Sequence, residues 1–374
     1  MLASNKYHHL DIFCVFVKNK QKMQLKKAIK RALQSIAVST NSGRPSQEDF
    51  QSFSLQLGAF FESVYLRREA LLRNEGVEDQ DFPGAYHAHL LSLDAVDMQL
   101  VKQVALLELS RRLGALGYVG VTTSRVRDAL EDGSIGFEVF LGKKGTSLNS
   151  PLESNVGRSS LSHTGIYGKR LQELEPRICN ADSRLPRVIV QLMAVIWERQ
   201  AESRQLFRVE GYQEEVAELV EKTCSGFESD PKIWRKAGID ELTSLFKRYL
   251  RSIEGLVVPR TCCDALYAMR HIHGASRDRV FLSRLILLTL PAENLRALSS
   301  IILFLGSLSH QHSPTSMALV LSPSLFDSRA DLQQSSWMAG LLGDLISEGF
   351  GEIPVEMMEN CLRWWEISRQ SIVN

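Results

Sequence analysis

In the run SRQLFRVEGYQEEV, Ser203 to Val216, an arginine directly follows an aromatic, between a polar turn and the start of a helical pattern. A guanidinium is a planar fork of donors that can bridge two anionic oxygens, a geometry an ammonium imitates poorly. The chain has 44 Lys and Arg, and for any one of them solvation or a salt bridge is the ordinary fate. Beside Arg208, Phe207 and Leu206 suit an arrangement in which apolar plugs anchor a loop while its arginine stays exposed. Lys247 and Arg251 lie four apart, on one face of a predicted helix. Two cations so placed repel, so either both face solvent or an anionic or carbonyl-bearing partner lies beside them. His310 and His312 in SHQHSPTS are two ligands on a short loop, too few to hold a metal, and His87 and His89 also lack a ligand set. No metal or cofactor is expected. No GxxxxGK[ST] loop occurs, so the chain is not expected to hydrolyse nucleotides itself.

These residues need elements to position them, and the periodicity supplies helices. RLPRVIVQLMAVIWERQ starts with Pro186 near a first-turn position and carries an apolar face through Val188, Leu192, Val195 and Ile196. YQEEVAELVEKTC, IDELTSLFKRYLRSI, VFLSRLILLTL, NLRALSSIILFLGSLS, SMALVLSPSLF and WMAGLLGDLISEGF continue the pattern. No period-2 alternation competes, so this half is expected to be all-α. Upstream, QSFSLQLGAFFESVYLRREALLR and DAVDMQLVKQVALLELSRRLGALGY also read as buried-face helices, the second ending at Gly114 and Gly117. SIGFEVFLG, 134–142, reads as a strand or hairpin arm.

The expected organisation is an N-terminal segment (1–45), a helix-rich region of unassigned role (46–142), a Ser/Gly-rich linker (143–165), a helical domain (166–354) and a helical extension (355–374). Within the first segment, Lys18 to Arg44 carries eight basic residues and no acid around the stripe Leu25, Ile29, Leu33 and Ile36. Such a helix either lies on anionic lipid, docks an acidic partner, or packs its stripe on the N-terminal region with its lysines solvated.

Composition excludes several classes. Hydrophobic residues at 44% and charged residues at 23% are those of an ordinary globular protein. A net charge of +1 gives no electrostatic footprint for nucleic acid. No apolar run approaches the roughly 20 residues that span a bilayer, and the first residues lack a signal-peptide pattern. Six cysteines without a CxxC pair read as buried thiols in a reducing compartment, so a cytoplasmic setting is expected, peripheral to membranes if the basic helix binds lipid.

The order of elements from Ile166 to Pro354 resembles the domain of Rho-family GTPase-activating proteins, the RhoGAP domain, a single all-α bundle. IYGKRLQEL is similar to its opening segment, with Tyr167 and Gly168, and LPRVIVQLMAVIWER to its first long helix. LFRVEG resembles its arginine loop, with Phe207, Arg208 and Gly211. LTSLFKRYLRSI resembles the lysine-x-x-x-arginine helix, LPAEN (Leu290 to Asn294) the leucine-proline-x-x-asparagine turn, and SMALVLSPSLF the segment whose asparagine, alanine, proline and leucine fall at Ser316, Ala318, Pro323 and Leu325. MAGLLGDLISEGFGEIP is similar to the closing helix.

The resemblance implies a partner, a Rho-family small GTPase in its GTP-bound form, whose own nucleotide and Mg²⁺ do the chemistry. It makes Arg208 the arginine inserted in trans to stabilise charge on the phosphoryl group, an effect on the order of 10³–10⁵ in rate. It assigns Arg251 to bracing that loop, and Lys247 and Ser316 to binding the GTPase. Four departures stand out. Ser316 replaces an asparagine, and Gln205 replaces a glycine two residues before Phe207. SIEGLVVP lacks both prolines of the usual stiff turn after Arg251, and SHQHSPTS replaces an asparagine-lysine-methionine-threonine run. Two lost docking contacts at roughly 1–3 kcal/mol each would weaken binding by tens to thousands of fold. A module that binds or sequesters GTPases with little activation is therefore the alternative expectation.

Overall fold

The computed structural model describes residues 95–116, 118, 121–131, 165–227, 229–271, 276–327 and 332–350. The expectations for 1–45 with its basic helix, for 46–94, for the strand at 134–142, for the body of the linker and for 355–374 lie outside these residues. Backbone contacts divide the chain into Met1–Asp81 and Phe82–Asn374, and every described residue belongs to the second unit.

The described residues are helical, as the apolar periodicity predicted. The helices are α1 (Ala95–Ala115), α2 (Thr123–Glu131), α3 (Arg187–Arg199), α4 (Gln213–Thr223), α5 (Pro231–Lys236), α6 (Ile239–Ser252), α7 (Arg260–Ala268), α8 (Ser276–Leu287), α9 (Ala292–Leu308), α10 (Pro314–Leu325) and α11 (Leu332–Glu348). Among the described residues there is no strand, only an isolated antiparallel bridge between Cys179 and Pro186. Proline stands at the N-cap of α3 (Pro186), α7 (Pro259) and α9 (Pro291), and in the first turn of α5 and α10, where its missing N–H removes no helical hydrogen bond.

Helix α6 is the axis of the site. It packs against α3, α4 and α10, and ten of its fourteen residues are buried, among them Glu241, Ser244 and Lys247. A charged residue buried in a helix needs partners in the surrounding structure, and those of Lys247 and Glu241 form the site described below. Helix α9 is buried almost all round and packs on α3, α10 and α11.

Helices α1 and α2, from before the Ser/Gly-rich stretch, pack on helices from after it. Met98, Val101, Ala105, Leu109 and Leu113 form a buried stripe on α1, and α1 packs against α8 and α9. The Arg112 guanidinium sits 5.0 Å from the ring centroid of Phe281 on α8. Helix α2 joins α7, where Thr261 Oγ1 donates to Leu130 O at 2.7 Å. Helix α1 runs through Gly114 and stops at Ala115, one turn residue before Gly117.

The turn after α6 holds without its two prolines. Leu256 adopts φ 67° and Gly255 φ 79°, and side chains pin the backbone in place. Asn294 Nδ2 donates to Leu256 O (3.2 Å) and Val257 O (2.9 Å), and its Oδ1 accepts from Gln172 Nε2. Glu254 N donates to Lys169 O, Val258 N donates to Leu325 O, and Val257 and Val258 are fully buried. Hydrogen bonding and burial thus hold this stretch, which has no proline to fix φ.

Candidate functional site

The segment Ser203–Tyr212 connects α3 to α4 and folds back over α6. Arg208 N donates to Gln205 O at 3.0 Å, closing a four-residue turn whose third residue, Phe207, has φ 68°. Glycine or asparagine is usual at such a position, because a Cβ there crowds the backbone at a cost of roughly 1–2 kcal/mol. Packing offsets this cost. The Phe207 ring is fully buried, 6.0 Å from Phe246 and 6.4 Å from Phe304, the latter edge-on, and these two rings lie 5.6 Å apart. Burying one phenylalanine contributes roughly 1.5–3 kcal/mol, and each ring pair about 0.5–1.5 more. The left-handed turn sends Phe207 inward and the next residue outward. Arg208 is exposed, and among the described residues no carboxylate pairs with its guanidinium.

The loop is tied to one face of α6 by residues at successive turns. Glu241 Oε1 accepts from Tyr212 N (3.1 Å), and Ser244 Oγ accepts from Gly211 N (2.9 Å) while donating to Glu210 Oε2 (3.2 Å). Lys247 Nζ donates to Glu210 Oε1 (2.7 Å) and to Phe207 O (2.8 Å). One turn on, Arg251 Nε donates to Ser324 Oγ of α10 at 3.1 Å. Gly211 is required by contact: a Cβ there would lie 2.6 Å from Glu241 Cα.

The site residues expected from the sequence fall into two groups. Arg208, Lys247 and Arg251 converge on the loop and α6. Lys247 does not face outward, however. Its side chain is 1% exposed and lies beneath the loop, hydrogen-bonded to it, while Arg251 is exposed, donates to α10, and lies near enough to Glu210 of the loop for its charge to favour the carboxylate. Lys247 reaches the Phe207 carbonyl and the Glu210 carboxylate from the buried face of α6, and Arg251 is one turn further along. Ser316 is exposed in the first turn of α10, its N–H bonded to the capping Ser313 Oγ. Gln205 opens the turn with its side chain exposed and its N–H on Ser203 Oγ (3.3 Å). His312 is buried and His310 exposed, and among the described residues no group of metal-binding side chains occurs.

Glu210, Ser244 and Glu241 were not picked out in the sequence. Burial works to raise the Glu210 pKa, but the hydrogen bond and charge of Lys247, with Ser244 and Arg251, together hold it below the usual carboxylate range. The exposed surface next to the arginine includes Val209 and Tyr212, the latter 77% exposed. An open cavity of about 720 Å³ elsewhere, lined by Arg279, Ser283, Trp337 and Asp344, includes none of these loop residues.

A protein-family model of the RhoGAP domain matches residues 186–330. The chain carries a RhoGAP domain. The match takes in the arginine loop, α6, α9 and α10, and so every expected site residue. Among solved structures, the chain is similar to the crystal structure of human Rho GTPase activating protein 15, at 15% identity and a TM-score of 0.44, over 50% of this chain and 92% of that one. No curated protein matches the sequence. In this RhoGAP domain, two departures from the expected pattern have structural answers. The turn after α6, which lacks the prolines, is held by the Asn294 bonds to Leu256 O and Val257 O. Gln205, in place of the glycine, opens the turn whose third residue, Phe207, has the positive φ.

Proposed function

We propose that this chain accelerates GTP hydrolysis by a Rho-family small GTPase, with Arg208 entering the partner's nucleotide site in trans. The observation that carries this reading is the contrast within the loop. Phe207 is buried and strained, Glu210 and Gly211 are tied to α6, and Arg208 between them is exposed with no internal carboxylate. GTP hydrolysis passes through a loose transition state with charge spread over the phosphoryl oxygens, and catalysis there is positioning plus electrostatics. An arginine delivered on a preformed loop loses little entropy on insertion. In this reading Arg208 stabilises that charge, Lys247 positions it from beneath, and Arg251 and Ser316 contact the GTP-loaded partner. The partner's Mg²⁺ and nucleotide supply the reacting atoms.

The setting in this reading is cytoplasmic. Among the described residues no helix is long and apolar enough to cross a membrane, and the buried thiols Cys179, Cys262 and Cys263 are unpaired by disulfides. Contact with anionic lipid through Lys18–Arg44 belongs to the same proposal, and sedimentation with vesicles with and without anionic lipid tests it.

The test of activation is single-turnover GTP hydrolysis by a panel of Rho-family GTPases, with wild type beside Arg208→Ala. Wild type should accelerate hydrolysis by a factor on the order of 10³–10⁵ and the variant should lose nearly all of it. Equal rates with both proteins reject the reading. A second reading, binding without activation, is favoured by one observation: Ser316 presents a short hydroxyl at the exposed start of α10. Tight binding of GTP-loaded partner with no acceleration would select it.

A further inference from the structure

Resting on that reading of Arg208, we infer that Glu210 is a positioning residue, whose carboxylate latches the arginine loop to α6 and so sets where the guanidinium stands. The hydrogen bonds form a circuit that crosses between loop and helix four times. Gly211 N–H donates to Ser244 Oγ, the Ser244 hydroxyl donates to Glu210 Oε2, Lys247 Nζ donates to Glu210 Oε1, and the same ammonium donates to Phe207 O. A serine hydroxyl has one proton. With that proton directed to Glu210, its lone pairs are left for Gly211. Glu210 is the centre of the circuit, and the residues it links flank Arg208 on both sides.

The chemistry of the acceptor matters. A carboxylate accepts at both oxygens and carries the charge that balances a Lys247 ammonium withdrawn from water. Glutamine at this position keeps one acceptor for Lys247 and can turn its NH₂ toward Ser244, so it preserves the shape of the circuit without the charge. Alanine leaves Ser244 without its acceptor and Lys247 with Phe207 O alone from this set. The Phe207 backbone, at φ 68°, is then held by its ring packing and one hydrogen bond, and the loop can relax toward ordinary φ. A half-exposed ion pair that merely decorated the surface would do none of this. The Glu210 side chain is 55% exposed, but its partner ammonium is 1% exposed, so the pair spans the boundary and does not float above it.

The experiment uses the full chain as wild type, Glu210→Gln, Glu210→Ala and Arg208→Ala. Hydrogen exchange in the free protein reports the latch without reference to any GTPase. Exchange at the Arg208 and Gly211 amides should rise about tenfold or more in Glu210→Ala, and less in Glu210→Gln, with amides of α9 unchanged. Unchanged exchange at those two amides overturns the latch. Single-turnover hydrolysis then reads its consequence. The rate at saturating Glu210→Ala should fall about tenfold with half-saturation moved less than about threefold, and Glu210→Gln should recover much of the loss. A loss confined to half-saturation, or equal losses in both variants, overturns the positioning role. Arg208→Ala keeps the two ideas apart: wild-type hydrolysis in that variant sinks the reading of Arg208, while the exchange result still decides the latch.

Discussion

The Lys247 ammonium donates to the carbonyl oxygen of Phe207 across 2.8 Å, joining a buried helix residue to the one loop residue that precedes the exposed arginine. This bond fixes the peptide linking Phe207 to Arg208. Replacing Lys247 with methionine keeps the stem volume but removes both donors to the loop. We expect a loss of about 1–3 kcal/mol in stability, measured by urea unfolding, and a fall in activation larger than the fall in GTPase affinity. Wild-type activation in Lys247→Met would show that the bond is dispensable.

Phe207 offers a test of strain that reverses the usual ranking of substitutions. Phe207→Ala removes the ring from between Phe246 and Phe304, a change that costs about 3–5 kcal/mol in a core. Phe207→Gly removes the same ring and one carbon more, yet at φ 68° glycine is free of the Cβ clash. The glycine variant should therefore be the more stable of the two by about 1 kcal/mol. Thermal or urea unfolding decides it, and a less stable glycine variant would contradict the positive φ.

Asn294 is the keystone of the turn that lacks its prolines. Its Nδ2 reaches two carbonyls, Leu256 O and Val257 O, and a carboxylate there would face both with an acceptor. Asn294→Asp should cost about 2–4 kcal/mol and Asn294→Ala somewhat less, since alanine deletes the bonds without adding repulsion. Equal unfolding midpoints for the two variants would argue against the pinning role.

Acid should open the latch in a defined window. The Glu210 carboxyl is held below its usual range in the folded chain. A carboxyl whose folded pKa is depressed contributes stability that is present above its unfolded pKa and lost as pH falls through the folded one. The difference in loop protection between wild type and Glu210→Gln should thus be constant from neutral pH down to about 5, and should disappear only as pH falls beneath the ordinary carboxylate range, through the depressed folded pKa. A difference that fades between pH 8 and 6 would point to another group.

The adjacent thiols of α7 should be inert. Burial pushes the Cys262 thiol up to about 12 and Cys263 higher still. In the folded chain at pH 7.5, iodoacetamide should spare both while labelling them fully in urea, as read by mass spectrometry. Rapid labelling of either in the native state would mean that α7 opens.

Much of this architecture is legible in the apolar spacing. Val188, Leu192 and Ile196 mark α3, and Leu242, Leu245, Phe246 and Leu250 mark α6, because a 3.6-residue period brings them to one buried face. Arg208 is legible too, by its place after Phe207. The burial of Lys247 and the exposure of Arg251 are not. Both lie on one face of one helix, and only the loop's path over α6 shows which of them it covers. Glu210 is 37 residues from Lys247, and nothing in local spacing links them.

The sequence by itself determined the helices and the order of the motifs, since these follow from periodicity and from residue types along the chain, and its resemblance to a known domain singled out Arg208. Tertiary structure alone decided that Lys247 is buried, that Glu210 completes its shell, that Asn294 pins the turn after α6, and that α1 and α2 share a core with the helices beyond the Ser/Gly-rich stretch. The physical reason is the same in each case. A polar group removed from water must find its partner wherever the fold brings one, and that partner is set by three-dimensional approach, not by distance along the chain.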